Sequence, residues 1–386
     1  MAGPDYTAIE LLTRLVAFDT TSHKSNFAII AFIEDYLLQH GVRSHRVVDE
    51  SGEKACLYAT IGPEHTAGLA LSGHTDVVPV DGQVWSSDPF TLRQENGKLY
   101  GRGACDMKGY LACMLASVPD FKARKLKVPI HLAFSYDEEV GCLGVRPMIA
   151  EFGKTLQKPR LVIVGEPTSM QVVDAHKGPV RWQVEVSGRA AHSSMAHLGV
   201  NAITYAARLI SEIERMEAEL KITSRNERFD PPYATLQVTK LEGGTANNII
   251  PVYCRFGFEV RALAGVDVDG IERRLRTFAE TQCIPEMRRA APEAGITITR
   301  ANTVPPYAAR EGSEATSLAL QLTGQNTTHA VSYATEAGLF QDGGSASIVC
   351  GPGDIAQAHT ADEWILESEI GKCMGFMARL ADWAAR

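Results

Sequence analysis

Apolar residues in this chain recur in two rhythms, and the switch between them outlines the fold. Near the N-terminus the spacing is helical: Ile9, Leu12, Leu15 and Val16 share one face of a helix that Asp5 can cap. A second helix, over about 25–40, repeats Phe27, Ile30, Ile33 and Leu37 and stops at Gly41. Short continuous apolar runs then read as buried strands at 55–61, 69–78, 130–136 and 161–164, with Asn96-Gly97 marking a hairpin inside 90–100. A glycine-rich loop at 100–109 leads into an apolar helix from about Tyr110. Three of the strands run straight into polar clusters: His74-x-Asp76, Asp137-Glu138-Glu139 and Gly165-Glu166-Pro167. Buried strands separated by helices indicate a mixed α/β fold with a largely parallel sheet, whose ligand sites lie beyond the carboxyl ends of the strands.

From 178 to 300 the pattern is strand (180–187), helix (200–220), strands (234–241 and 252–261), helix (268–282) and strand (295–300). Trp182, Val184 and Val186 alternate with Arg181, Gln183 and Glu185, the signature of a sheet with one wet face. This β-α-β-β-α-β order is ferredoxin-like and reads as a domain inserted into the first. The expected division is therefore 1–177 and 301–386 for one domain and 178–300 for the insert. After the insert come a helix near 314–322, a buried strand at 345–349, His359, and a closing helix carrying Ile370, Met374, Met377 and Leu380.

A net charge of −8 and a pI near 5.8 argue against a nucleic-acid partner or an anionic membrane surface. No run of about 18 apolar residues suggests a membrane span. Eight scattered cysteines without a C-x-x-C pair, and an N-terminus with no secretory leader pattern, give a cytoplasmic expectation with reduced thiols.

His-x-Asp alone is most simply a core histidine beside a turn aspartate, although alternation along a strand would put His74 and Asp76 on one face. The reading changes when the polar groups at strand and loop ends are collected: His74, Asp76, Asp106, Glu138, Glu139, Glu166 and His359. Two imidazoles with several carboxylates suit a first-row dication, zinc first, and one or two such ions would compensate the clustered negative charge. Glu138 and Glu139, diverging on an extended chain, could divide the work of metal ligand and general base. Most other histidines, His23, His40, His45 and His65 among them, read as solvated. Competing motifs fail: Gly101-x-Gly103-x-x-Asp106 lacks the third glycine of a dinucleotide fingerprint, and no H-E-x-x-H, Walker A or G-x-S-x-G is present.

The ordered segments GHTDVVP, GRGACDMKG, SYDEEVG, GEPT, RAAHSS, NNIIP and GPGDIAQAHTADE closely resemble the co-catalytic zinc aminoacylase/carboxypeptidase family over nearly the whole chain. The resemblance implies two Zn2+ ions, with Co2+ able to substitute. His74, Asp106 and Glu166 would hold one, and Asp106, Glu139 and His359 the other. It makes Asp76 the support of His74 and Glu138 the general base. The insert would be a lid and the interface of a homodimer, its His192 hydrogen-bonding the oxyanion in the partner subunit's site. Asn247, Asn248, Arg261 and Thr335 are implied substrate-carboxylate contacts. Within the family, TEAGLF followed by GPGDIAQAH is most similar to the acetylornithine deacetylase branch. The expected substrate is then a small N-acyl amino acid, N2-acetyl-L-ornithine, hydrolysed to ornithine and acetate in arginine biosynthesis, with Glu336 as a candidate partner for its side-chain ammonium. A succinyl-diaminopimelate desuccinylase and a broad N-acyl or N-carbamoyl amino acid hydrolase stay open, as does a non-catalytic binding member of the fold. Glu336 would repel the second carboxylate of a succinyl substrate, and a non-catalytic member would lack a ligand or the base.

Overall fold

A computed structural model of the chain describes residues 3–64 and 66–386, so His65 lies outside the described residues. The chain forms two compact units. One comprises the chain up to Ala175 with Ala308–His329 and Thr335–Arg386; the other comprises His176–Tyr307 with Ala330–Ala334.

The first unit is built on a mixed sheet in the order Ser44–Val48, Ala55–Ile61, Ile130–Ser135, Leu69–His74, Leu161–Pro167, Ala346–Gly351 and Val173–His176. Its centre is parallel: Leu69–His74 pairs with both Ile130–Ser135 and Leu161–Pro167, and Ala346–Gly351 continues the set. The outer pairings are antiparallel. The two strands at the centre, Leu69–His74 and Ile130–Ser135, are buried along their whole length, which is why they read as unbroken apolar runs. Helices Ala8–Val16, Phe27–Gln39, Gly109–Ala116 and Glu367–Ala384 contribute to one continuous core with them. Register then levels the strand ends, His74 lying opposite Ser135 and Ser72 opposite Val164. At Gly165 the ring of Tyr110 stands 2.1 Å from where a Cβ would be, so only glycine lets this strand pass the helix one residue before Glu166.

Several expected boundaries shift for identifiable reasons. The first helix is capped by Thr7, not Asp5: the Thr7 hydroxyl accepts the Glu10 N–H at 3.2 Å, while Glu10 accepts the Thr7 N–H at 2.8 Å. The strand expected over 69–78 ends at His74, because Val77 leaves the sheet to exchange backbone hydrogen bonds with Thr20 and Ser22. The helix expected over 268–282 is Val268–Phe278, followed by a wide turn and a separate helix Ile284–Ala290 that begins beside Pro285. The strands Ser44–Val48 and Trp364–Leu366 were not expected; the second joins the Lys98–Tyr100 hairpin strand.

His131, inside the central strand, is fully buried, with Nδ1 2.9 Å from the Thr60 hydroxyl and its ring stacked on Tyr58. Burial holds its pKa down at about 4. A depressed histidine stabilises the fold above its unfolded pKa near 6.5, and the contribution disappears as pH falls toward the folded value. Urea unfolding should therefore show a loss of about 2 kcal/mol from this residue between pH 7 and pH 5. His131→Asn should flatten the pH dependence by that amount, and an unchanged slope would exclude His131 as its source.

The second unit is a four-stranded antiparallel sheet in the order Thr235–Gly243, Tyr253–Ala262, Gly178–Ser187 and Gly295–Thr303. With Ala202–Thr223 and Val268–Phe278 as its helices, this is the ferredoxin-like arrangement. Trp182, Val184 and Val186 enter a separate core with Leu209, Ile213 and Phe256, and Trp182 stacks on Phe258 at 4.8 Å. No helix among the described residues is long and apolar enough to cross a membrane.

Candidate metal centre

Five segments of the first unit deliver the site. His74 ends its strand, and Glu166 is the penultimate residue of Leu161–Pro167. Asp106 sits in the turn Ala104–Lys108, entered through Gly103 with φ 80°, a left-handed conformation natural to glycine. Glu138 and Glu139 follow Ile130–Ser135 in a tight turn: Asp137 has φ 53°, and the N–H groups of Gly141 and Cys142 donate to the Glu138 carbonyl. The extended backbone expected there is absent, so the two carboxylates part through this turn instead. His359 has φ 61° in the irregular segment after Ala346–Gly351.

The side chains converge. His74 Nε2 lies 3.0 Å from Asp106 Oδ1 and 3.8 Å from Glu166 Oε1. Asp106 Oδ2 lies 3.2 Å from His359 Nε2, which is also 3.0 Å from Glu139. Asp106 thus stands between the two imidazoles. Ligand atoms of His74, Asp106 and Glu139 fall within 4.8 Å of one another, as do those of His74, Glu138 and Glu166.

Asp76 reaches the site through the turn after His74 rather than through strand alternation. His74 Nδ1 donates to the Asp76 carbonyl at 2.9 Å and lies 3.4 Å from its carboxylate. That carboxylate accepts the Ser22 hydroxyl at 2.7 Å and the N–H groups of Glu138 and Glu139 at 3.1 and 3.3 Å. One buried aspartate therefore orients a ring and pins the turn that bears two more carboxylates. Lys54 adds a second clamp, its ammonium donating to both oxygens of Asp137 at 2.6 and 2.8 Å and to the Ser22 carbonyl. Neither Ser22 nor Lys54 carries a motif that could have marked it in the sequence.

Burial and the clustering of like charge shape the electrostatics of these groups. Burial, reinforced by neighbouring carboxylates, pushes Glu138 and Glu166 well above the usual carboxylate range and Glu139 up to about 7. His359 is raised to about 10 by its hydrogen bonds to Asp106 and Glu139. His74 is raised as well, burial being outweighed by Asp106 and Asp76. Both Nε2 atoms face carboxylate oxygens. Glu166 Oε1 is buried without a hydrogen-bond partner. Divalent cations fit this donor set: they would replace the Nε2 protons, satisfy the orphaned oxygen and relieve the repulsion among the carboxylates.

In the second unit, His192 and Asn248 are brought together. Ser193 N–H donates to the Asn248 carbonyl at 3.0 Å, and His192 bridges to Ile249. The Ser194 N–H donates to His192 Nδ1 at 3.2 Å, which makes Nδ1 the acceptor and leaves Nε2–H as the ring's donor. His192, Asn247 and Asn248 are exposed. Arg261 donates through Nε to Glu259 at 2.8 Å.

Thr335 and Glu336 are both buried. Thr335 is fully buried, and its hydroxyl accepts the Ala337 N–H at 3.1 Å at the start of Ala337–Asp342. Glu336 is 1% exposed, its carboxyl accepting from Ser72 at 3.4 Å, and burial pushes it up to about 7. It lies buried against the strand that carries His74.

Comparison with known proteins agrees with this architecture. Residues 70–383 match the model of peptidase family M20/M25/M40. The chain is 35% identical over 375 residues to the acetylornithine deacetylase of Myxococcus xanthus, covering 95% of each chain. It shares the fold of a Bacillus cereus aminopeptidase (TM-score 0.77, 18% identity, 99% of each chain covered). It shares it also with a Bacillus subtilis dinuclear metal binding peptidase (TM-score 0.69, 16% identity, 97% of this chain and 96% of that one). A mixed α/β sheet whose strand ends gather imidazoles and carboxylates, with a family match over most of its length, places this chain in peptidase family M20/M25/M40 as a metal-dependent hydrolase.

Proposed function

We propose that this hydrolase cleaves the amide of a small N-acyl amino acid, N2-acetyl-L-ornithine first, releasing acetate and ornithine for arginine biosynthesis. The observation that carries the reading is Asp106 standing between two imidazoles, 3.0 Å from His74 and 3.2 Å from His359, with Glu166 3.8 Å from His74 and Glu139 3.0 Å from His359. The name of the Myxococcus relative supports the substrate. His74, Asp106 and Glu166 would hold one divalent ion, and Asp106, Glu139 and His359 a second; zinc suits the mixed donors, and cobalt could replace it. Such ions supply Lewis acidity that polarises the acyl carbonyl and acidifies water.

The protein's own groups do the rest. Glu138 takes a proton from the attacking water. The water oxygen joins the acyl carbon, the C–N bond breaks, and Glu138 returns the proton to the leaving nitrogen. His192 would act across the homodimer, donating its Nε2–H to the carbonyl oxygen in the partner subunit's site as negative charge develops there. Arg261, with its Nε on Glu259, offers its terminal nitrogens to the α-carboxylate, for which Asn247 and Asn248 are further candidate contacts. Asp76 keeps His74 in the tautomer that turns Nε2 inward.

The second unit acts as lid and homodimer interface in this reading. Thr235–Gly243 is one of the two edge strands of its sheet, and Leu241, Val252 and Tyr253 are exposed on it and at the start of its neighbour. Eight free, buried cysteines suit a cytoplasmic setting.

The test is a panel of N2-acetyl-L-ornithine, N-succinyl-L,L-diaminopimelate and N-carbamoyl amino acids on metal-loaded protein. Acetylornithine should give a kcat/KM at least about tenfold above the others, as expected for a site that distinguishes polar groups. A preference for the succinyl or carbamoyl compound would replace the substrate assignment.

A further inference from the structure

His74 and Glu166 stand on strands that pair directly, so the sheet itself sets their separation. Asp106 and His359 have no such frame. Asp106 has φ −123° and ψ 95° inside its turn, and His359 lies on irregular backbone with a positive φ. Something else must bring the turn and the segment together.

Glu363, four residues beyond His359, is 1% exposed. Its carboxylate accepts the N–H groups of Gly103, Cys105 and Asp106 at 2.9, 2.9 and 3.0 Å, and the Arg102 guanidinium at 2.8 Å. Arg102, fully buried itself, also reaches the Thr360 carbonyl at 3.4 Å and the Gln83 side-chain oxygen. Gln83 in turn donates to the His359 carbonyl at 2.9 Å. The segment bearing one ligand is thus bound, through a single carboxylate, to the backbone of the turn bearing the other.

We propose that Glu363, assisted by Arg102, is the positioning residue for the half of the metal centre formed by Asp106, Glu139 and His359. It gathers three amides of one loop around one anion and so sets where Asp106 meets His359. An amide cannot replace it: glutamine has one accepting oxygen, and its NH2 would meet an N–H donor. The inference rests on the two-ion reading of the site.

Metal-free wild type, Glu363→Gln, Arg102→Gln and the double variant are titrated with Zn2+ against a competing chelator and melted without metal. The double variant carries no unpaired buried guanidinium, so the result does not depend on the single variant folding. Wild type should bind two ions per chain. Glu363→Gln and the double variant should keep one ion at near wild-type affinity and bind the other about 10–100-fold more weakly, the usual cost of losing a residue that supports metal ligands. Arg102→Gln, which retains the three amide contacts, should weaken the second ion less. Two ions at wild-type affinity in either folded Glu363 variant, or a lowered melting temperature as the only change, overturns the proposal. Fewer than two ions on wild type overturns the two-ion reading, and this inference with it.

Discussion

Glu138→Gln should leave both ions bound and lower kcat by about 10²–10⁴-fold, the range a positioned general base contributes. The carboxyl is half-buried, with the Cys142 thiol donating to it at 3.3 Å, and its ligand atom lies within 4.8 Å of those of His74 and Glu166. Glutamine preserves the volume and the acceptor for Cys142 but takes up no proton. Because the missing event is proton transfer in the transition state, kcat and kcat/KM should fall together, with KM little changed. Metal analysis beside steady-state kinetics checks this. Loss of an ion would make Glu138 a ligand, and retained turnover would end its assignment as base.

Asp106→Ala should have the larger effect. One carboxylate faces both imidazoles, at 3.0 and 3.2 Å, so its removal strips a ligand from each half of the centre and leaves His74 and His359 without the anion between them. Both ions should be lost, and turnover should fall on the order of 10⁴-fold or more, since water activation and oxyanion stabilisation fail together. Asparagine, with one oxygen remaining, should keep one ion at most. Inductively coupled plasma analysis of purified variants measures this directly; two ions in Asp106→Ala would show that the aspartate does not bridge.

Much of the fold can be read from the sequence because its signals are periodic. The buried run at Leu69–His74 and the alternation of Trp182, Val184 and Val186 each follow from a face that must avoid water. The neighbours of each strand are less legible: nothing local places Leu161–Pro167 beside Leu69–His74 and not beside Ile130–Ser135. At the site, polar residues ending apolar runs are conspicuous, which is how His74, Glu138, Glu139 and Glu166 can be found. Glu336 looks the same in one dimension, and only the packed structure shows it buried against Ser72. Asp76 meets His74 through a turn and not through strand alternation, since the strand ends at His74. Glu363, Arg102 and Lys54 leave no trace in the pattern, because their partners are backbone groups and side chains distant in sequence.

The most direct test of the account is anomalous diffraction at the zinc absorption edge from crystals of the wild-type protein grown with Zn2+. The account predicts two peaks per chain, one in contact with His74, Asp106 and Glu166, the other with Asp106, Glu139 and His359. A single peak that leaves Glu139 and His359 without an ion, or zinc bound elsewhere with this cluster empty, would contradict it.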